Sequence, residues 1–306
     1  MSVSRLLLYL VVVACLTASG ACALRPASDG ERHAPAPRQG LLWKIEKAGI
    51  APGYLFATIH LEDARVTRLA PPVAQALANS EALVLEVDLG PRSRQAASRA
   101  MFFGDGRSLP EVVGESLFQQ SLAALRPRGF QADHVRLMKP WAVFSVLSMP
   151  QAKSGQFLDA VLYQRATRRG LPVYALEEMS EQIAVFEGLS LQDQIVLLRD
   201  TLANKDAMPR FIDETLRVYL RGDLSALLAL NERYMGFTEP AVAARVSQRL
   251  LDDRNRRMLA RLEPLLQRGQ RLFIAVGALH LPGETGLLQG LRQRGYRLSA
   301  VYPAAP

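Results

Sequence analysis

The chain has 306 residues, 49% of them hydrophobic and 22% charged, with a formal net charge of +8. That length and apolar share support a sizeable core and argue against disorder outside the N-terminal stretch. Both cysteines, Cys15 and Cys22, lie near the start, so the rest of the chain offers no disulfide, thiolate nucleophile or Cys-type zinc site.

Arg5 followed by the apolar run Leu6 to Leu16 and small residues reads as an export signal, too short to span a bilayer as a stable anchor. Two processing readings fit. Ala21-Cys22-Ala23 suits cleavage after Ala23, while Gly20-Ala21-Cys22 suits a bacterial lipoprotein site with Cys22 acylated. Either predicts an exported protein, in the periplasm or at the outer membrane, the second with Cys22 on a membrane surface. Residues 24–40 are rich in Pro, Ala and Arg and read as a flexible tether that carries His33. The basic residues beyond it are scattered along helices, as in Arg165, Arg168 and Arg169, with no lysine block or interleaved aromatics, so no nucleic-acid partner is expected.

A domain is expected over residues 41–303. Leu41 to Ala48 reads as a strand, followed by a Pro52-Gly53 turn and a second strand over Gly53–His60, together a hairpin. A short Pro-led helix near Pro71 precedes a third strand, Ala82–Leu89, and this order suggests a parallel crossover. Residues 91–268 read as a large helical region with one strand, Leu171–Leu176. Helices are expected over 93–103, 109–125, 140–149, 157–170, 180–186, 191–204, 208–221, 223–236 and 238–268, with Asp223 as an N-cap. A strand at 271–277, a helix near 286–293 and a strand at 296–302 close the chain. The fold class is therefore α/β, with α+β as the alternative: a central mixed sheet built from both chain ends and covered by helices.

Two apolar runs each end in a histidine: Tyr54-Leu55-Phe56-Ala57-Thr58-Ile59-His60 and Phe273-Ile274-Ala275-Val276-Gly277-Ala278-Leu279-His280. Glu86 interrupts a third run, Leu83-Val84-Leu85-Glu86-Val87. Imidazoles and a carboxylate at strand ends are what a metal or acid–base site requires. The competing reading of each is structural: a hydrogen-bonded His, or an outward-facing Glu86 beside Asp88. Val242, Val246, Leu250, Arg254 and Met258 recur every four residues, which puts Arg254 on an apolar helix stripe where a guanidinium needs an anion or snorkels to water. Glu177 follows the 171–176 strand and is the better candidate of Glu177 and Glu178. Asn255 could orient a ligand. Glu62 and Asp63 are candidate partners for the His60 imidazole. Asp159, Lys139 and Trp141 are weaker candidates, with Trp141 expected in the core and His134 on the surface. No G-x-S-x-G, H-E-x-x-H or phosphate-binding glycine loop is present.

Taken in order, the 54–60 run, Leu83-Val84-Leu85-Glu86-Val87-Asp88, Lys139-Pro140-Trp141, Ala175-Leu176-Glu177-Glu178 with Gln182 and Phe186, Arg254-Asn255 and Val276–Gly283 resemble the TraB/PrgY/GumN family, to which the Tiki proteases are related, over nearly all of residues 41–302. The resemblance implies a core shared with erythromycin esterases and ChaN-like haem-uptake proteins. It also implies a divalent metal (Mn, Co or Zn) held by His60, Glu86 and His280, with Glu177 and Arg254 nearby as catalytic groups. The expected function is a cell-envelope metallohydrolase acting on peptides or small molecules. A non-catalytic binder of peptide, small acid or haem, or an exopolysaccharide assembly factor, stays open. One departure stands out: the family's first G-x-x-H motif has Ala57 in place of Gly, while Gly277 keeps the second.

Overall fold

The hairpin that starts the domain forms because Leu42–Lys47 and Ile50–Thr58 carry β-branched and aromatic residues on both sides of a glycine. These are β1 and β2 in the computed structural model, which describes residues 39–151 and 154–302. Cys15, Cys22, His33 and most of the predicted tether lie outside the described residues. The turn falls at Ala48-Gly49, with Gly49 at φ +75°, not at Pro52-Gly53. Pro52 sits inside β2 where the register slips between Ile45 and Lys47, and an irregular stretch of ladder tolerates a residue without an N–H.

Four further strands complete the sheet: β3 (Ala82–Val87), β4 (Val173–Glu177), β5 (Leu272–Gly277) and β6 (Arg297–Tyr302). The order is β4-β3-β5-β2-β1-β6. β2, β5, β3 and β4 pair in parallel, and β1 pairs antiparallel with both β2 and β6. The protein is therefore a mixed α/β fold whose sheet draws on both chain ends, with β4 contributed from the helical middle. β2 and β3 run parallel as the crossover predicts, but β5 lies between them. β3 and β5 are buried along their whole length, which explains their uninterrupted apolar sequences.

Helices pack over this sheet. The Met208–Leu220 helix is tied to β2 by the Tyr219 hydroxyl, which donates to the Ala57 carbonyl at 2.8 Å. The Pro140–Leu147 helix is buried throughout, with Trp141 stacked on Phe186 at 5.6 Å. Arg128 donates to the carbonyls of Val146, Leu147 and Met149 at the C-terminal end of that helix.

Two expected helices are broken. The 109–125 stretch divides at Gly114, whose φ of +82° no helix accommodates. The 238–268 stretch divides into Pro240–Ser247, a π-helical turn at Gln248–Asp252 and Asp253–Leu266. The π turn has a sequence cause. A side chain every fourth residue drifts around an α-helix by about 40° per step at 3.6 residues per turn, and a wider turn restores the alignment. Val242, Val246, Leu250, Arg254 and Met258 are all buried as a result. His134 lies in a short helix, Ala132–Leu137, and is exposed as expected. No helix among the described residues is long and apolar enough to cross a membrane.

Candidate active site at the strand ends

The carboxyl ends of parallel strands are where open α/β sheets present their ligand sites. Thr58, the last residue of β2, pairs with Gly277, the last of β5. His60 and His280 follow those two ends, His280 within a 3-10 turn at Ala278–His280. β3 flanks β5 on its other side and delivers Glu86, 2% exposed. The insertion of β5 between β2 and β3 is what gathers the three residues.

Each imidazole is held from behind. His60 Nδ1 lies 2.8 Å from Asp159 Oδ2, and Asp159 Oδ1 accepts from the Thr58 hydroxyl at 2.8 Å. His280 Nδ1 lies 2.6 Å from Asn255 Oδ1. Both partners are oxygens, so each Nδ1 donates; in the neutral ring the lone pair then lies on Nε2. Both Nε2 atoms are buried without a hydrogen-bond partner. Burial, together with Arg254 and His60 and against the pull of Glu86, brings His280 down to about 3, so this ring is neutral at physiological pH.

Glu86 is clamped. Its Oε1 accepts from the Gly277 N–H at 2.5 Å and lies 3.8 Å from His280 Nε2; its Oε2 accepts from Arg254 Nη2 at 2.6 Å. Burial opposes ionisation, but Arg254, the two imidazoles and the Gly277 N–H outweigh it and lower this carboxyl to about 2. His60 is thus near enough to act electrostatically on both Glu86 and His280.

Arg254 is fully buried and bridges two carboxylates. Its Nε donates to Glu177 at 2.9 and 3.1 Å, and its Nη2 at 2.6 Å. Glu177 also accepts from Gln182 at 3.2 Å and from Arg257 at 3.3 Å. The four-residue stripe thus leads to an ion pair rather than to snorkelling. Glu177, expected as a catalytic group, accepts on both oxygens from Arg254, with Gln182 on one and Arg257 on the other.

His60 takes Asp159 as its Nδ1 partner, where the sequence suggests Glu62 or Asp63. Glu62 instead accepts from Ser154 and Gly155, and Asp63 caps the Ala64–Thr67 helix. Proximity in sequence misleads here because the Leu158–Arg168 helix brings Asp159 to the ring. The signal for Asp159 is an acid in the first turn of an apolar helix, facing inward at 4% exposure. Glu178 caps the Met179–Glu187 helix, Lys139 pairs with Glu187, and Trp141 is core.

Ala57 is an ordinary strand residue of β2, and Gly277 has φ −54°; neither position uses the left-handed region that only glycine favours. The Ala57 methyl is accommodated at 0% exposure.

The donor chemistry suits a divalent ion: two imidazole nitrogens with oxygen-backed Nδ1 atoms, and a carboxylate oxygen beside one of them. Among the described residues, however, no three such side chains stand together as a ready-made metal cluster. Of the implied set of His60, Glu86 and His280, Glu86 also engages Arg254 and the Gly277 N–H.

A mixed α/β sheet with histidines at adjacent parallel strand ends and a buried Glu–Arg–Glu bridge defines the class. The chain belongs to the TraB/PrgY/gumN family, which matches residues 41–300. It is 25% identical to Metalloprotease TIKI2 of Danio rerio, over 87% of this chain and 61% of that protein. It is 24% identical to Metalloprotease TIKI1 of Homo sapiens, over 97% of this chain and 70% of that protein. Identity with the uncharacterized protein YbaP of Escherichia coli K12 is 26%, over 78% of this chain and 87% of that one. The chain spans only about three fifths of the length of the TIKI2 relatives, 61% and 62%. No solved structure matches.

Proposed function

We propose that this protein is a metal-dependent hydrolase of peptides, exported to the cell envelope and, if Cys22 is acylated, held at a membrane surface. The observation that carries the reading is the pair of buried imidazole Nε2 atoms without partners, each with its Nδ1 proton fixed on an oxygen. The distant TIKI relatives support the protease part by their printed names.

His60 and His280 would hold the ion through Nε2, with Glu86 Oε1 completing the set. A divalent ion bound there supplies a Lewis acid for the scissile carbonyl and a water of lowered pKa. The chain's own residues do the rest. Asp159 and Asn255 keep both rings in the tautomer that presents a lone pair. Arg254 keeps Glu86 ionised and supplies positive charge beside the reacting group. Glu177, Gln182 and Arg257 hold Arg254 in register.

Metal content of the purified protein, measured by plasma mass spectrometry beside His60→Ala and His280→Ala, tests the reading. Near-stoichiometric metal in the parent, lost in variants that keep their circular dichroism spectrum, is expected. No metal in the parent after incubation with Mn, Co and Zn overturns it and leaves a non-catalytic ligand-binding protein.

A further inference from the structure

A pocket of about 60 Å³ opens directly beside His60. Its walls are Ile59 and Leu61 on either side of that histidine, Leu279 next to His280, and Met149, Phe211, Ile212 and Leu227 from the covering helices and loop. The lining is almost wholly apolar; Thr58, His60, Thr215 and Asn231 are its polar members. Phe211, Leu227, Leu279 and Met149 are buried, while Ile212 is only partly so.

We infer that this pocket is a specificity subsite that takes one aliphatic side chain of a peptide substrate, next to the bond to be cut. The inference rests on the hydrolase reading and deepens it. Three observations point the same way. On the scale where one water needs about 10–15 Å³, the space holds about four to six water-sized groups. That is the size of a Leu, Met or Ile side chain and less than an aromatic ring with its methylene. The walls carry no Asp, Glu, Lys or Arg, so a Lys, Arg, Asp or Glu side chain would be desolvated without a partner. The pocket shares His60 with the candidate site and is flanked by the residue before His280, so a side chain seated in it brings its own backbone to the imidazoles. Each methylene that fits is worth about 10-fold or more in discrimination, and a charged side chain is disfavoured by at least 100-fold.

The test has two readouts. Binding of N-acetyl amino-acid amides to the metal-free protein is followed by saturation-transfer NMR. The leucine and methionine amides are expected to bind, and the aspartate and lysine amides are not. Cleavage of a peptide library by the metal-loaded protein is expected to show the same preference at one substrate position. Ile212→Trp, which enlarges a lining side chain at the expense of the pocket, is expected to abolish binding of the leucine amide while leaving metal content unchanged. Ile212→Ala is expected to shift preference toward phenylalanine. Equal binding of leucine and aspartate amides, or leucine binding that survives Ile212→Trp, overturns the subsite. Selective binding with no cleavage of any peptide instead overturns the hydrolase reading and leaves the subsite standing. No binding of any amide, together with cleavage indifferent to the neighbouring side chain, overturns the subsite and leaves the hydrolase.

Discussion

His60 and His280 stand in matching sequence contexts but have different supports. A carboxylate backs His60, and a neutral amide backs His280. A ring that donates to a carboxylate is the more basic ligand, and loss of such a partner costs about 10–100-fold in metal affinity. Asp159→Asn keeps the shape and removes the charge; metal titration is expected to show a loss within that range, with secondary structure unchanged. A change below twofold would mean that Asp159 only ties the Leu158–Arg168 helix to Thr58. Arg254 is the second decisive residue. Its removal leaves Glu86 and Glu177 buried with their main cation gone, and breaking a buried ion pair costs about 3–5 kcal/mol. Arg254→Met is expected to lose that much by urea denaturation; a loss under about 1 kcal/mol would show that Gln182, Arg257 and the Gly277 N–H suffice. The two roles differ in legibility. Arg254 was legible because its own helix stripe places it inward, whereas Asp159 acquires its role only from a strand 99 residues earlier.

At the scale of elements, the Asp253–Leu266 helix carries the site's cation and its amide, and it is fastened to the rest of the fold by charge as well as by packing. Arg261 donates to Glu181 at 2.6 and 2.8 Å and to the Leu176 carbonyl at 2.8 Å, joining this helix to the Met179–Glu187 helix and to β4. The hydrogen bonds from Arg261, against the cost of partial burial and with help from the Glu178 N–H and the charges of Arg261 and Arg257, bring Glu181 down to about 2 from an ordinary 4.5. The folded state thus holds this proton less tightly than the unfolded chain. The stabilisation is complete above about pH 4.5 and disappears as pH falls toward 2. Glu181→Gln is expected to lower stability at pH 7 and to flatten its acid dependence between pH 4.5 and 2, followed by urea denaturation across that range. An unchanged slope would assign the acid dependence to other carboxylates. The breaks at Gly114 and Gln248–Asp252 escape the sequence because helical periodicity survives a glycine or a widened turn, and the β1–β2 turn falls earlier than Pro52-Gly53 because an irregular ladder accommodates Pro52 inside β2.

The whole molecule depends on a strand that arrives late. β5 begins 185 residues after β3 ends, yet it fills the gap between β2 and β3 and supplies the Gly277 N–H to Glu86. A chain stopped at residue 270 leaves two apolar strands with no neighbour between them, and the exposed edges favour aggregation. Such a truncation is expected to lose cooperative thermal unfolding, seen by circular dichroism. Retention of a sharp transition would show that the helical region folds without the completed sheet. The same long-range pairing predicts slow folding, because loop closure comes before the contacts that stabilise it.

The sequence by itself determined which apolar runs are strands, that His60 and His280 follow strands, that Arg254 lies on an apolar helix stripe, and which family the chain resembles. Each of these follows from local physics: apolar runs, periodicity and the spacing of motifs along a rigid element. The tertiary structure decided which residue backs each imidazole, that Glu177 and Glu86 share one guanidinium, and that an apolar pocket opens beside His60. Those outcomes depend on the order of strands in the sheet and on how distant helices dock over their ends, and no local pattern encodes either.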